Sequence, residues 1–133
     1  MSGKRRRQAG FTLIEIVTVV AILSILLAIA LPNYRVAIIQ AREATLKEDL
    51  FRFREAIDQY QVDKGKYPAS LETLVTEKYL RSIPVDPMTG ATEWKEVPAE
   101  AEPDVPSSEE PGIYDVHSGS EANSLGGTPY SEW

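Results

Sequence analysis

Residues 11–31, FTLIEIVTVVAILSILLAIAL, hold a single charge in 21 positions, and that charge, Glu15, sits near the start. As an α-helix the run is about 31 Å long, close to the thickness of a bilayer's hydrocarbon core. No Gly or Pro interrupts it, and Thr12, Thr18 and Ser24 can bond back into the helix. A chain of 133 residues has no core thick enough to surround such a helix, so the run is expected to span a membrane. Lys4, Arg5, Arg6 and Arg7 precede it, and the positive-inside bias keeps them cytoplasmic and sends the rest of the chain outward. A secretory signal would enter the same way, and a cut after Ala30 would meet its small-residue rule. The length of the run, and a helical pattern that continues past Pro32, favour a retained anchor.

Beyond the anchor the chain is acidic. Residues 11–133 carry 10 Lys/Arg against 20 Asp/Glu, with no basic stripe, so a nucleic-acid partner is not expected. The chain has no cysteine, which removes disulfides, thiolate metal sites and a cysteine nucleophile. Ile39, Leu46, Leu50, Phe53, Ile57 and Tyr60 recur at spacings of three, four and seven, one face of an amphipathic helix. Arg42, Glu43, Lys47, Glu48, Asp49, Arg52, Glu55 and Asp58 occupy the other, read as solvated, with Glu43–Lys47 and Glu48–Arg52 as i,i+4 pairs. Residues 11–61 are thus expected to form one helix of about 75 Å, bent or frayed at Pro32.

Residues 63–68, DKGKYP, end that helix as a turn. Ser70 is the expected N-cap of a short helix over 71–80, whose Leu71, Leu74, Val75, Tyr79 and Leu80 should face the long one. Residues 92–96 alternate about Trp94 as a strand, and residues 112–117 form a second, antiparallel to it. Between them, residues 97–111 hold four prolines and five acids with no apolar face, an exposed loop. The glycine- and serine-rich end closes on Tyr130 and Trp133, a tail pinned to the head. The expected class is α+β: a long N-terminal helix and a small C-terminal head of one short helix and a small antiparallel sheet.

Catalytic chemistry finds little footing. His117 is the one histidine; Ser118 and Ser120 lie near it, but no third group completes a triad. Asp115 and Glu121 could supply oxygens to Ca²⁺, yet no EF-hand spacing is present. The chain reads as a non-enzyme.

The stretch Gln8-Ala9-Gly10-Phe11-Thr12-Leu13-Ile14-Glu15 behind Lys4-Arg5-Arg6-Arg7 resembles the signal of type IV pilins and of the pseudopilins of type II secretion. That signal is a basic leader ending in Gly, then Phe, a Glu four residues on, and a long apolar run. Pro32-Asn33-Tyr34, the turn at 63–68, residues 80–87 (LRSIPVDP) and Trp133 are similar to major, G-type pseudopilins, so the resemblance covers most of the chain. It implies a pilin-like fold. It also implies that residues 1–10 are a leader cut by a prepilin peptidase between Gly10 and Phe11, and that the new amine of Phe11 is N-methylated. Residues 11–31 would be the transmembrane and filament-core helix. Residues 32–133 would be a periplasmic head that includes the amphipathic half of the helix, on a single-pass inner-membrane protein.

The implied partners are other copies of the chain in a homo-oligomeric filament, minor pseudopilins, the prepilin peptidase and an inner-membrane assembly platform. The implied function is a structural subunit of a pseudopilus that drives export of folded proteins. The alternative is a pilus subunit for adhesion, motility or DNA uptake, against which the short head and missing cysteines weigh. Major pseudopilins also bind Ca²⁺ through aspartates shortly before the final Trp, but residues 126–133, GGTPYSEW, contain none. No cofactor is therefore expected, the tail being held by Tyr130 and Trp133 packing and hydrogen bonds, with Asp115 and Glu121 the weak Ca²⁺ candidates that remain. Glu15 acquires a reason from the implied cleavage. The new amine of Phe11 lies four positions away and, in a filament, can pair with the Glu15 of an adjacent subunit.

Overall fold

The computed structural model describes residues 9–100 and 111–133. Its elements are α1 (Leu13–Lys64), α2 (Leu71–Thr76), β1 (Lys95–Pro98), β2 (Ile113–His117) and a closing 3-10 turn (Tyr130–Glu132). This is the α+β, pilin-like arrangement expected. The basic residues 4–7 and most of the proline-rich acidic loop, residues 101–110, lie outside the described residues. The chain divides into two units, one ending at Ile38 and one running from Ile39 to Trp133.

α1 is continuous through Pro32 and runs three residues further than the periodicity predicts. It stops where Gly65 takes φ +72 and its amide bonds back to the Gln61 carbonyl at 2.8 Å. In the first unit every side chain from Phe11 to Ile38 is exposed, and the most apolar 18-residue window has a mean hydropathy of 2.8 with none of it buried. The polar residues inside it are satisfied within the helix, as expected. Thr18 Oγ1 donates to the Ile14 carbonyl and Ser24 Oγ to that of Val20, both at 2.8 Å.

The second unit is built on the ridge Leu46, Leu50, Phe53, Ile57 and Tyr60, each 6% exposed or less. Their spacing of four, three, four and three keeps them on one stripe. Ile39, expected on the same face, is 36% exposed and contributes nothing to this core. Leu71 and Leu74 of α2 pack onto the ridge, while Val75, Tyr79 and Leu80 are only partly covered. Phe53 meets Trp94 edge-on with ring centroids 4.9 Å apart, and the Trp94 indole N–H donates to the Pro84 carbonyl at 2.9 Å. Trp94 is therefore an anchor just before β1 and not, as expected, the middle of a strand.

α2 is capped by Ser70, as expected, but ends at Thr76 rather than 80. The Tyr79 amide bonds to the Leu74 carbonyl at 2.8 Å and the Lys78 amide to that of Val75 at 3.1 Å. This is the double bond pattern of a Schellman stop, with Lys78 at φ +66 in the place usually given to Gly. β1 and β2 pair antiparallel, with Val97 opposite Asp115 and Pro98 opposite Ile113. Tyr114 is the extra residue of a bulge. It re-phases the strand so that Ile113, Val116 and Ser118 are all buried while Tyr114 points out. Gly112 enters β2 so close to the 67–68 turn that a Cβ would lie 2.6 Å from the Tyr67 carbonyl oxygen.

Asp86 fixes the loop between α2 and β1. Fully buried, it accepts from Ser118 Oγ at 2.6 Å, the Met88 amide at 2.8 Å and the Gly119 amide at 3.2 Å. Residues 32 and 33 positions apart are thereby tied through one carboxylate. Asp49 is the contrasting case: 7% exposed, on the face read as solvated, and raised above its usual carboxyl value by burial, which Arg52 offsets only in part.

Three stability effects are expected in thermal or urea unfolding. Asp86→Ala strands three donors, the buried Ser118 hydroxyl among them, and should cost about 2–3 kcal/mol. Asp49→Asn should gain about 0.5–1 kcal/mol at neutral pH. A raised folded value means that the stability Asp49 contributes is present below its unfolded value of 3.8 and is lost as pH rises through the folded one. The Asn variant should therefore match wild type in acid and exceed it at pH 7. Lys78→Gly relieves a left-handed backbone and should add about 0.5–1 kcal/mol.

Candidate functional site

Two regions carry the candidate residues. The first is the start of α1. Thr12 is the residue before the helix, and its Oγ1 accepts the Glu15 amide at 3.3 Å while its carbonyl accepts the Ile16 amide at 3.2 Å. Thr-Leu-Ile-Glu thus has the spacing of a capping box, with Glu15 at the third helical position, where a carboxylate favours the positive end of the helix dipole. Periodicity arguments passed over this local role, although the T-x-x-E spacing was there to be read. Glu15 is exposed, and Phe11 is 78% exposed. Gly10 is without neighbours: a Cβ added there meets nothing within 4 Å, and its φ is not in the left-handed region. Neither packing nor backbone conformation in this fold accounts for a glycine at that position.

The second region is the tail, residues 118–133, folded onto α1 as a small closed loop. Asn123 and Pro129 form an isolated antiparallel bridge, the Ser124 amide bonds to the Thr128 carbonyl at 2.8 Å, and Gly127 turns the chain at φ +89. Three α1 side chains hold it. Glu43 Oε1 accepts the Leu125 amide at 2.8 Å and the Tyr130 hydroxyl at 2.9 Å. Lys47 places its ammonium 4.7 Å from the centre of the Trp133 ring. Arg54 Nη2 donates to the Trp133 main-chain oxygen at 2.8 Å, and its Nε pairs with Asp115 Oδ1 at 2.8 Å. Burial and the bond to Glu43 both raise the Tyr130 hydroxyl above its ordinary value.

This geometry corrects the reading of the charged helix face. Glu43 and Lys47, expected to pair with each other in solvent, both turn to the tail. The Glu48–Arg52 pair does form, at 3.0 Å, and remains exposed. The expected roles of Tyr130 and Trp133 are realised: Tyr130 is 4% exposed, its ring stacks edge-on against Trp133 at 5.2 Å, and Trp133 Nε1 donates to Thr128 Oγ1 at 3.0 Å.

The residues around the tail do not fit a calcium ion. Asp115 spends Oδ1 on Arg54 and has His117 Nε2 3.6 Å from Oδ2, while Glu121 is exposed. Among the described residues no three His, Asp or Glu side chains converge to hold a metal. Several loop oxygens already take part in the loop's own bonding: Ser124 O accepts from the Gly127 amide, Ser124 Oγ from the Thr128 amide, and Ala122 O from the Tyr130 amide. His117 and its serine neighbours form no relay either. His117 Nδ1 faces the Trp133 main-chain oxygen, and Ser118 gives its proton to Asp86.

Comparison with known proteins bears on the first region and on the chain's family. Residues 5–31 match the model of the prokaryotic N-terminal methylation motif. The type II secretion system core protein G of Pseudomonas aeruginosa is 38% identical over 100 residues, 63% of this chain and 70% of that protein. The proteins of the same name from Vibrio cholerae and Klebsiella michiganensis are 33% and 30% identical, covering 68% and 72% of their own lengths. No solved structure matches. A match of this extent, joined to the capped apolar helix and the small α+β head, places the chain in the type II secretion system core protein G family, the major pseudopilins.

Proposed function

We propose that the chain is made as a precursor, cut after Gly10, N-methylated on Phe11, and stored in the inner membrane until it joins a pseudopilus that drives export of folded proteins. In this reading residues 4–7 stay cytoplasmic and residues 32–133 form a periplasmic head. The filament consists of copies of this chain with minor pseudopilins, built on an inner-membrane assembly platform. The observation that carries the proposal is the first half of α1: an apolar surface with no protein cover at all, headed by a capped turn that presents a carboxylate. A bilayer covers such a surface in the monomer, and the same surface of other copies covers it in a filament. The relatives named above are all secretion-system proteins, which favours export over adhesion, motility or DNA uptake. No cofactor has a part in this function.

Gly10 supports processing because the fold gives it no task. A side chain there would be free in this structure, so the demand for glycine lies with whatever reads the leader. Glu15 supports assembly by its cost. A charged residue inside hydrocarbon costs about 2.5–3.5 kcal/mol at a helix centre on insertion scales, and less near the end. Cleavage creates a cation at Phe11 that, on a neighbouring copy, offsets this cost in a desolvated bundle. The unpaired carboxylate thus favours leaving the lipid for the filament.

Two outcomes test these roles. In Gly10→Val the head should fold normally while the chain accumulates as a membrane-bound precursor, its leader intact by mass spectrometry; normal maturation would count against processing at that bond. Glu15→Gln keeps the capping-box spacing and removes only the charge. It should insert and mature like wild type, yet yield at least tenfold less filament by shearing and immunoblot, the equivalent of about 1.4 kcal/mol in an equilibrium constant. Unimpaired filament growth in that variant would refute the pairing role.

A further inference from the structure

The tail loop presents the wrong polarity for a metal. A cation is held by lone pairs converging on one point. Here an amide N–H, from Leu125, and a hydroxyl O–H, from Tyr130, converge on one point, and that point is Glu43 Oε1. We infer that in this chain the Glu43 carboxylate, carried by α1, organises the tail from outside it as an anionic anchor, so that the closed tail forms without calcium. The contrast with a metal-bound tail rests on membership of the core protein G family; the anchor itself rests on the geometry alone.

The placement of the other two contacts supports this. Glu43, Lys47 and Arg54 are spaced by four and seven residues, so they share one face of α1. Each takes a different feature of the tail: a loop amide and phenol, an indole face, and the main-chain oxygen of Trp133. Of these three side chains, Glu43 is the one whose hydrogen bond falls within the loop segment 124–128. A bond from an amide to a carboxylate is charge-assisted and stronger than an ordinary amide–carbonyl bond. Removing Glu43 leaves the Leu125 amide and the Tyr130 hydroxyl without their acceptor, and Tyr130 is buried. Inside the loop, Ser124 O and Oγ accept from the Gly127 and Thr128 amides, so the loop closes on its own N–H groups. Residues 122–131 contribute no Asp or Glu of their own to add to these oxygens.

The experiment uses the full chain in detergent micelles. Wild type is melted in excess CaCl2 and in excess EGTA. The midpoints should agree to within about 3 °C, and a larger rise with calcium would overturn the inference, because a ligand that binds only the folded state must raise the midpoint. Hydrogen exchange then reads the anchor directly. In Glu43→Ala the Leu125 amide should exchange at least tenfold faster, while the Val116 amide in β2 stays within about twofold of wild type. An unchanged Leu125 amide would overturn the assignment of Glu43. Should Glu43→Ala fail to fold, Glu43→Met, which keeps the side-chain length and removes the acceptor, supplies the same readout, and the calcium melt needs no variant. Neither measurement involves processing or filament growth, so failure here leaves the subunit reading standing, and failure of that reading leaves the anchor standing.

Discussion

Half of α1 has no business in water. The apolar stretch is exposed from end to end in the isolated chain, its serine and threonine hydroxyls are turned inward to helix carbonyls, and its single carboxylate is held at the first turn. A helix satisfies all its backbone groups internally, so it can enter lipid, leave lipid for a bundle of identical helices, and need no refolding between the two. That interchangeability of surroundings is the constraint under which the rest of the molecule is built. The head must be stable by itself, because the other half of its own spine offers it no core.

The head meets that demand with few parts. One stripe of α1, residues 46–60, serves as the floor on which α2, Trp94, the sheet and Tyr130 all rest. Two short strands and a six-residue helix would not be stable alone, and polar ties between distant segments help to order them. Asp86 joins the turn at 86–91 to the exit of β2. Arg54 and Glu43 bind the tail back to the spine. Each tie uses a carboxylate or guanidinium with several donors or acceptors, so one charged group orders two segments.

The helical half was legible from the sequence because its signals are local. The uncharged run, the 3–4 spacing of Leu46 to Tyr60, the turn at Gly65 and the Ser70 cap depend on neighbours within a few residues. What escaped periodicity was long-range or subtle. Glu43 and Lys47 sit on the charged face of α1 and look solvated until a tail some 80 residues later is seen to engage them, and Asp49 on that face is buried. The early end of α2 at a left-handed Lys78 breaks the expectation that such a stop needs Gly. The bulge at Tyr114 could not be foreseen, since burial of both Ile113 and Val116 breaks simple alternation. At the N-terminus the candidate residues were readable as a motif, but only the structure separates what Glu15 does for its own helix from what its charge is free to do for another.

Glu15 and Glu43 therefore pose the same physical problem at two places on one helix. Each is a carboxylate on α1 whose partners are not supplied by the helix itself. For Glu43 the donors arrive from the tail of the same chain, and the tail is ordered as a result. For Glu15 no bond from another described residue to the carboxylate is seen, Thr12 accepting only its amide, and the amine freed by cleavage belongs, under the proposal, to another subunit. An anchor satisfied within the chain gives a rigid head whatever the assembly state. An anchor left wanting within the chain gives a reason to assemble. If the two were exchanged, with Glu15 paired at home and Glu43 unpaired, the anchor helix would be content in the membrane and the head would have a loose tail. Under the proposal, the distribution of satisfied and unsatisfied carboxylates along α1 is thus what separates the part of this molecule that holds its shape alone from the part that joins other copies.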